Sequence, residues 1–176
     1  LHPRVRRQRQ MCIRDRYIAE EIMALRKIVT KEDPILRKVC KPVEVFDEKL
    51  ARLIDDMMQT LKKAQGVGLA APQVGFLKRI FIMDLGDEMI ECVNPEIIKT
   101  GGKQRVVEGC LSCPNDWGYV TRPNKCKLRA QNRYGEYFEM NLKELGAQCA
   151  CHENDHLDGK LFVDIIEERV QPEEDK

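Results

Sequence analysis

Residues 152–156 read His-Glu-Asn-Asp-His, two histidines four apart with a glutamate directly after the first. On an α-helix, positions four apart share a face and lie one turn above the other. His152 and His156 can therefore grip one metal ion, and Glu153 stands beside them to handle protons on a metal-bound water. The chain has three histidines, and the third, His2, lies in a basic N-terminal stretch. The motif thus demands a helix with an inward metal-binding face and a body of structure to receive it. The bland alternative is a pair of surface histidines flanking an acid.

The neighbours favour the metal. Leu142, Leu145, Cys149, His152, Glu153 and His156 form a single helical stripe, the kind an amphipathic helix buries. Buried histidines need a partner, and a metal is a good one. Asn141 is the expected N-cap, with Glu144 three residues on, and Gly159 the expected C-terminal stop. Gly146 weakens a helix interior by roughly 1 kcal/mol against alanine, so a start near Ala147 is the alternative.

A chain of 176 residues can bury a real core. Its net charge of +1 gives no global field for sequence-specific nucleic-acid binding, and no apolar run has the length of a signal peptide or membrane span. The charge is uneven. Residues 1–22 hold six arginines against Asp15, Glu20 and Glu21, a net +3, which leaves −2 for the rest. Met23 resembles a natural start, so 1–22 reads as an upstream or non-native extension, 23–166 as the catalytic domain and 167–176 as a loose acidic tail. Import of the chain into an organelle through 1–22, or a basic arm for ribosomal RNA, are the other readings of that stretch. The eight cysteines suit reduced, buried packing rather than disulfide staples, since a chain of this size does not need them.

Asp47 should cap an early helix whose stripe is Leu50, Leu53, Ile54, Met57, Met58 and Leu61, stopped by Gly66. Gly66-Val67-Gly68-Leu69-Ala70-Ala71-Pro72-Gln73 touches the dinucleotide-binding pattern but follows a helix and is broken by Pro72, so that function is excluded. Its glycines suit a backbone lying close to a ligand, and Gln73 can both donate and accept hydrogen bonds. Strands are expected over 78–84, 89–93, 96–99, 103–107, 117–121, 125–133 and 136–140, with a break at Asn94-Pro95. The expected plan is α+β: mixed or antiparallel strands around a C-terminal metal-binding helix, with one earlier amphipathic helix.

Two histidines leave a tetrahedral site half filled, and a catalytic site wants a third protein ligand and one open position. A carboxylate or a cysteine could serve. Cys110 stands out because Gly109 precedes it in a short, irregular segment ended by Ser112 and Pro114. A thiolate with two imidazoles suits iron or zinc.

Three stretches, Gly66–Gln73, Glu108-Gly109-Cys110-Leu111-Ser112 and His152–His156, resemble in order and spacing the motifs of the peptide deformylase family. The similarity extends through Asp33-Pro34-Ile35-Leu36-Arg37, Val93-Asn94-Pro95 and 156–162, so it covers about 24–166. The resemblance implies removal of the formyl group from the formyl-methionine that begins nascent polypeptides, with release of formate. It implies the ligands Cys110, His152 and His156 for one Fe(II), with Zn(II) or Ni(II) able to substitute. Hydroxide formed at the metal would attack the formyl carbon with Glu153 as general acid and base. The Gln73 amide and the Leu111 backbone N–H would stabilise the oxyanion. Substrate would lie along Val67, Gly68 and Gly109, with its methionine near Leu145, Gln148 and Cys149. A cytoplasmic monomer that meets the ribosome transiently is the implied setting. Gly146, Cys151 and Asn154 depart from what is common in the family.

Two other readings compete. A zinc protease would need a distant His or Glu as third ligand. A structural zinc site would join Cys110 and Cys113 to the two histidines, but 38 residues separate Cys113 from His152, far beyond zinc-finger spacing.

Overall fold

A computed structural model describes residues 25–170; the basic stretch 1–22 and the last six residues lie outside the described residues. The first helix, α1 (Glu48–Ala64), is capped as expected: the Asp47 carboxylate accepts from the Leu50 N–H at 2.9 Å. Leu50, Leu53, Ile54, Met57 and Leu61 are buried along one face and pack against Leu69, Ile80, Ile82 and Val93. The left-handed cap residue is Gln65 (φ 53°), not Gly66. Gly66 is needed for a different reason: a β-carbon there would sit 2.9 Å from the Leu111 side chain and 3.0 Å from Leu61.

Among the described residues eight strands follow: β1 (Gly68–Ala70), β2 (Ile80–Asp84), β3 (Met89–Gly101), β4 (Gln104–Cys110), β5 (Cys113–Arg122), β6 (Lys125–Gln131), β7 (Tyr137–Lys143) and β8 (Glu168–Arg169). They form two antiparallel sheets, ordered β1-β2-β3-β6-β7 and β4-β5-β8. The break expected at Asn94-Pro95 is absent. β3 runs through it with a register shift between Val93 and Glu96, and Asn94 takes φ 49°. The Asn94 side chain accepts from Val43 N–H, and its amide donates to the Val43 carbonyl and to Gln131. That triple attachment holds a bulge where proline would otherwise end the strand.

The second helix, α2 (Glu144–Leu157), carries the His152–His156 motif and packs on both β1 and β2 of the larger sheet. It follows β7 without a loop. Asn141 is not its N-cap, because β7 pairing takes Asn141 opposite Lys127 and Leu142 opposite Cys126. The turn into the helix is made by Glu144 (φ 49°), whose N–H donates to the Asn124 carbonyl. Leu142 therefore belongs to the strand, and Leu145 is half exposed rather than on the buried face. The C-terminus stops as expected. Gly159 (φ 72°) donates to the His156 carbonyl and Lys160 to that of Asp155, a Schellman closure. Gly146 is buried, with Leu142 and Leu85 packed where its side chain would be. Asn154 faces Arg79, which also binds Asp158 at the helix end.

The turn at 34–37, capped by Asp33, buries Leu36 with Leu161 and Phe162 beneath this helix end. β8 pairs with β5 at Gly118 and Tyr119, so the start of the acidic segment is tied to the smaller sheet.

Candidate active site

β1 and β4 are edge strands of different sheets, and the cleft between them, about 530 Å³, is lined by Gln73, Glu108, Cys110, His152 and Glu153. Helix α2 forms its floor. Cys149, His152, Glu153 and His156 are buried along that floor.

Cys110 ends β4 opposite Cys113, across a hairpin whose two loop residues are Leu111 and Ser112. It ends the strand where the register shifts between Gly109 and Cys110, so the segment is locally irregular, as expected. Its Sγ lies 3.3 Å from His156 Nε2. One donor atom each from Cys110, His152 and His156 falls within 4.8 Å of the others, and Cys113 is not part of the group. The structural four-ligand zinc site is therefore not formed.

The surroundings of these atoms fit a metal. Nδ1 of His152 is 2.9 Å from Glu108, which leaves Nε2 for an ion. Nδ1 of His156 is buried without a hydrogen-bond partner. Burial alone would depress the His152 pKa, but Glu108 and Glu153 outweigh it and raise it; His156 is pushed down by burial and by the charges of His152 and Arg122. The Cys110 thiol is pushed up by its hydrogen bond with Cys113, by burial and by the Glu153 charge. Such a thiol loses its proton to solvent readily only when a cation binds its sulfur.

Glu108 is an anchor that sequence reasoning left without a role. It is 3 % exposed and takes a two-pronged hydrogen bond from Arg122, at 2.8 and 3.0 Å. Arg122 reaches on to Asp155 on α2 at 2.6 Å. Burial opposes the Glu108 charge, yet His152 and Arg122 bring its pKa down to about 2. Glu108 and Asp155 both stand inside the motifs, so position offered a hint. Arg122 offered none, since only strand pairing brings it there.

Glu153 is 4 % exposed, and its Oε2 has no hydrogen-bond partner. Burial lifts its pKa to about 7. The carboxylate lies against Gly68: a β-carbon there would be 2.3 Å from Oε1 and 2.8 Å from Cys149 Sγ. Gln73, buried, accepts from the Ala70 N–H through Oε1 and donates through Nε2 to Ser112 Oγ at 3.1 Å. The same Nε2 is 3.5 Å from Cys110 Sγ. Leu111 lines the cleft, as do Val67, Gly68, Gly109, Leu145, Gln148 and Cys149.

The Val67 carbonyl accepts from Asp84 N–H, and Cys149 Sγ is 3.5 Å from it. Antiparallel alternation then turns the Gly68 N–H and C=O toward the cleft.

The model of the family described as polypeptide deformylase matches residues 25–171. The chain belongs to this family. Its metal-dependent hydrolases are thus the class to which this enzyme belongs, and the Cys-His-His cluster is where an ion would sit. A peptide deformylase of Caldicellulosiruptor bescii is 55% identical over 152 residues, 86% of this chain and 92% of that protein. The structure is also similar to the peptide deformylase of Thermotoga maritima, with TM-score 0.80, 42% identity and coverage of 81% of this chain and 98% of that one. A deformylase from Synechococcus elongatus, solved with actinonin, superposes with TM-score 0.78 at 37% identity, over 81% and 79% of the two chains. Among the described residues no helix is long and apolar enough to cross a membrane.

Proposed function

We propose that the enzyme hydrolyses the formyl group from the N-terminal formyl-methionine of newly made polypeptides and releases formate. The observation that carries this is the buried, unpartnered Glu153 carboxylate beside a three-ligand cluster. Cys110 Sγ, His152 and His156 would hold one Fe(II), with Zn(II) or Ni(II) able to replace it. Such an ion supplies Lewis acidity and brings the pKa of a water toward neutrality.

Glu153 takes a proton from the attacking water and returns it to the departing amine. Burial raises its affinity for a proton, which suits both taking and returning it. Gln73 is held by Ala70 and Ser112, and the amide proton that rests toward Cys110 Sγ is the one it turns to the developing oxyanion. The Leu111 N–H is the second donor. One such donor is typically worth about 3 kcal/mol. Gly68 offers its backbone to an extended peptide as an added strand, and with the Val67 carbonyl already engaged it is the main docking point on that edge. The facing wall is Gly109. The methionine side chain enters beside Cys149, Leu145 and Gln148. The enzyme works as a cytoplasmic monomer that meets the ribosome transiently, and actinonin, which occupies the Synechococcus relative, is expected to inhibit it.

The test is anaerobic hydrolysis of formyl-Met-Ala-Ser, read as released formate, with wild type beside Glu153→Ala. Turnover in the Fe(II)-loaded wild type and its loss in the variant, with metal retained, is the expected result. Absence of turnover in the loaded wild type overturns the proposal.

A further inference from the structure

Trp117 is the chain's single tryptophan, and at 44 % exposure it is a large aromatic left open on the cleft wall. It stands opposite Gly109 in the β4–β5 ladder, and its ring lies directly on that glycine. A β-carbon on Gly109 would meet three ring atoms at 2.5–2.7 Å. The indole therefore fills the place of a side chain one residue before the ligand Cys110. Strand alternation sends its neighbour Asp116 to the opposite face. There Lys31 and Arg169 hold that carboxylate at 2.5 and 2.6 Å. The Trp117 carbonyl accepts from Val170 N–H at 2.9 Å, so β8 braces the strand from behind. The platform is thus held in place with its ring facing the cleft. Among the described residues no lysine or arginine lines the cleft.

We propose that Trp117 determines specificity for the residues that follow the methionine, favouring apolar and aromatic side chains over acidic ones. This rests on the deformylase reading. In an extended peptide each residue advances about 3.3 Å, so a ring seated one residue from Cys110 reaches the first or second residue after the methionine. An apolar side chain there covers the exposed indole, and an aromatic one stacks on it. An acidic one gains nothing from the indole and meets no lysine or arginine among the described residues of the cleft wall.

Two peptide series, formyl-Met-X-amide and formyl-Met-Ala-X-amide with X as Phe, Leu, Ala or Glu, test this with wild type, Trp117→Ala and Trp117→Phe. In wild type, kcat/KM for Phe should exceed that for Glu at least tenfold in one series, mostly through KM. Trp117→Ala should shrink the ratio to within about threefold, and Trp117→Phe should keep most of it. Because the chain has one tryptophan, its emission supplies a readout independent of turnover. In a Glu153→Ala background, the Phe peptide should shift the emission to the blue and the Glu peptide should not. Equal ratios in wild type and Trp117→Ala, or an emission indifferent to X, overturn the inference. Absence of formate from every peptide would instead overturn the deformylase reading.

Discussion

Gly68 and Glu153 are a matched pair. The glycine is not needed for its backbone angle; it is needed because the carboxylate occupies the volume of its side chain. Gly68→Ala should therefore push Glu153 out of its buried seat and lower kcat at least 100-fold. The melting temperature should shift by only a few degrees, as the displaced group is a side chain end. Steady-state kinetics and a thermal melt check both halves. Glu108 is a second such residue. It holds Nδ1 of His152 and neutralises Arg122. Glu108→Ala leaves a buried guanidinium with only Asp155, at a cost of about 3–5 kcal/mol. It also frees the His152 ring, so metal affinity should fall about 10–100-fold. Competition with a chelator measures the second effect, and urea unfolding the first. Both pairs were invisible as pairs in the sequence: Gly68 and Glu153 are 85 positions apart, and only the packing of α2 against β1 makes them neighbours.

At the scale of elements, α2 shows which local rules survive tertiary context. Its C-terminal stop was legible, because a Schellman closure depends on a left-handed residue and glycine adopts that conformation freely. Gly159 carries a second constraint: a β-carbon would approach the Arg37 carbonyl oxygen to 2.6 Å. Gly159→Ala should therefore cost about 1–3 kcal/mol from the strained φ, with added damage where the 34–37 turn meets the helix. A urea titration that finds the variant within 0.5 kcal/mol of wild type would contradict this. The N-terminal end of α2 was not legible. Asn141 has the chemistry of a cap, but pairing of β7 with β6 extends through Lys143 and takes it first. β3 erred the other way. Asn94-Pro95 reads as a stop, yet the Asn94 side chain bridges Val43 and Gln131 across 51 and 37 residues of sequence and holds the strand together.

For the whole molecule, two buried carboxylates act in opposite directions on stability. Glu108 has a folded pKa of about 2 against an ordinary 4.5, so it stabilises the fold above pH 4.5, and that contribution is lost as pH falls toward 2. Glu153 has a folded pKa of about 7, so the folded state holds its proton more tightly. Stability then falls as pH rises from 4.5 through 7. Each amounts to about 3 kcal/mol. The metal-free protein should be most stable near pH 4.5 as far as these two groups decide it. Metal-free Glu153→Gln should be about 3 kcal/mol more stable than wild type at pH 8, with the difference vanishing near pH 4. Urea unfolding of the stripped proteins at the two values checks the sign. A bound cation would favour the ionised glutamate, so metal loading should shrink the gap at pH 8.

The candidate metal-ligand cluster was readable in one dimension because its parts are short-range patterns. Helical periodicity puts His152, Glu153 and His156 together, and a cysteine between a glycine and a tight turn is a ready third donor. The α+β plan was readable because the strands carry apolar runs separated by turn residues. Tertiary structure alone decided the rest. It brought the edges of two sheets together as a cleft and set Gly109 under Trp117. It also joined Arg122 to Glu108 and Asp155. Each of these is a contact between strands or layers, governed by register and by the volume left between side chains, and no local pattern of residues encodes either.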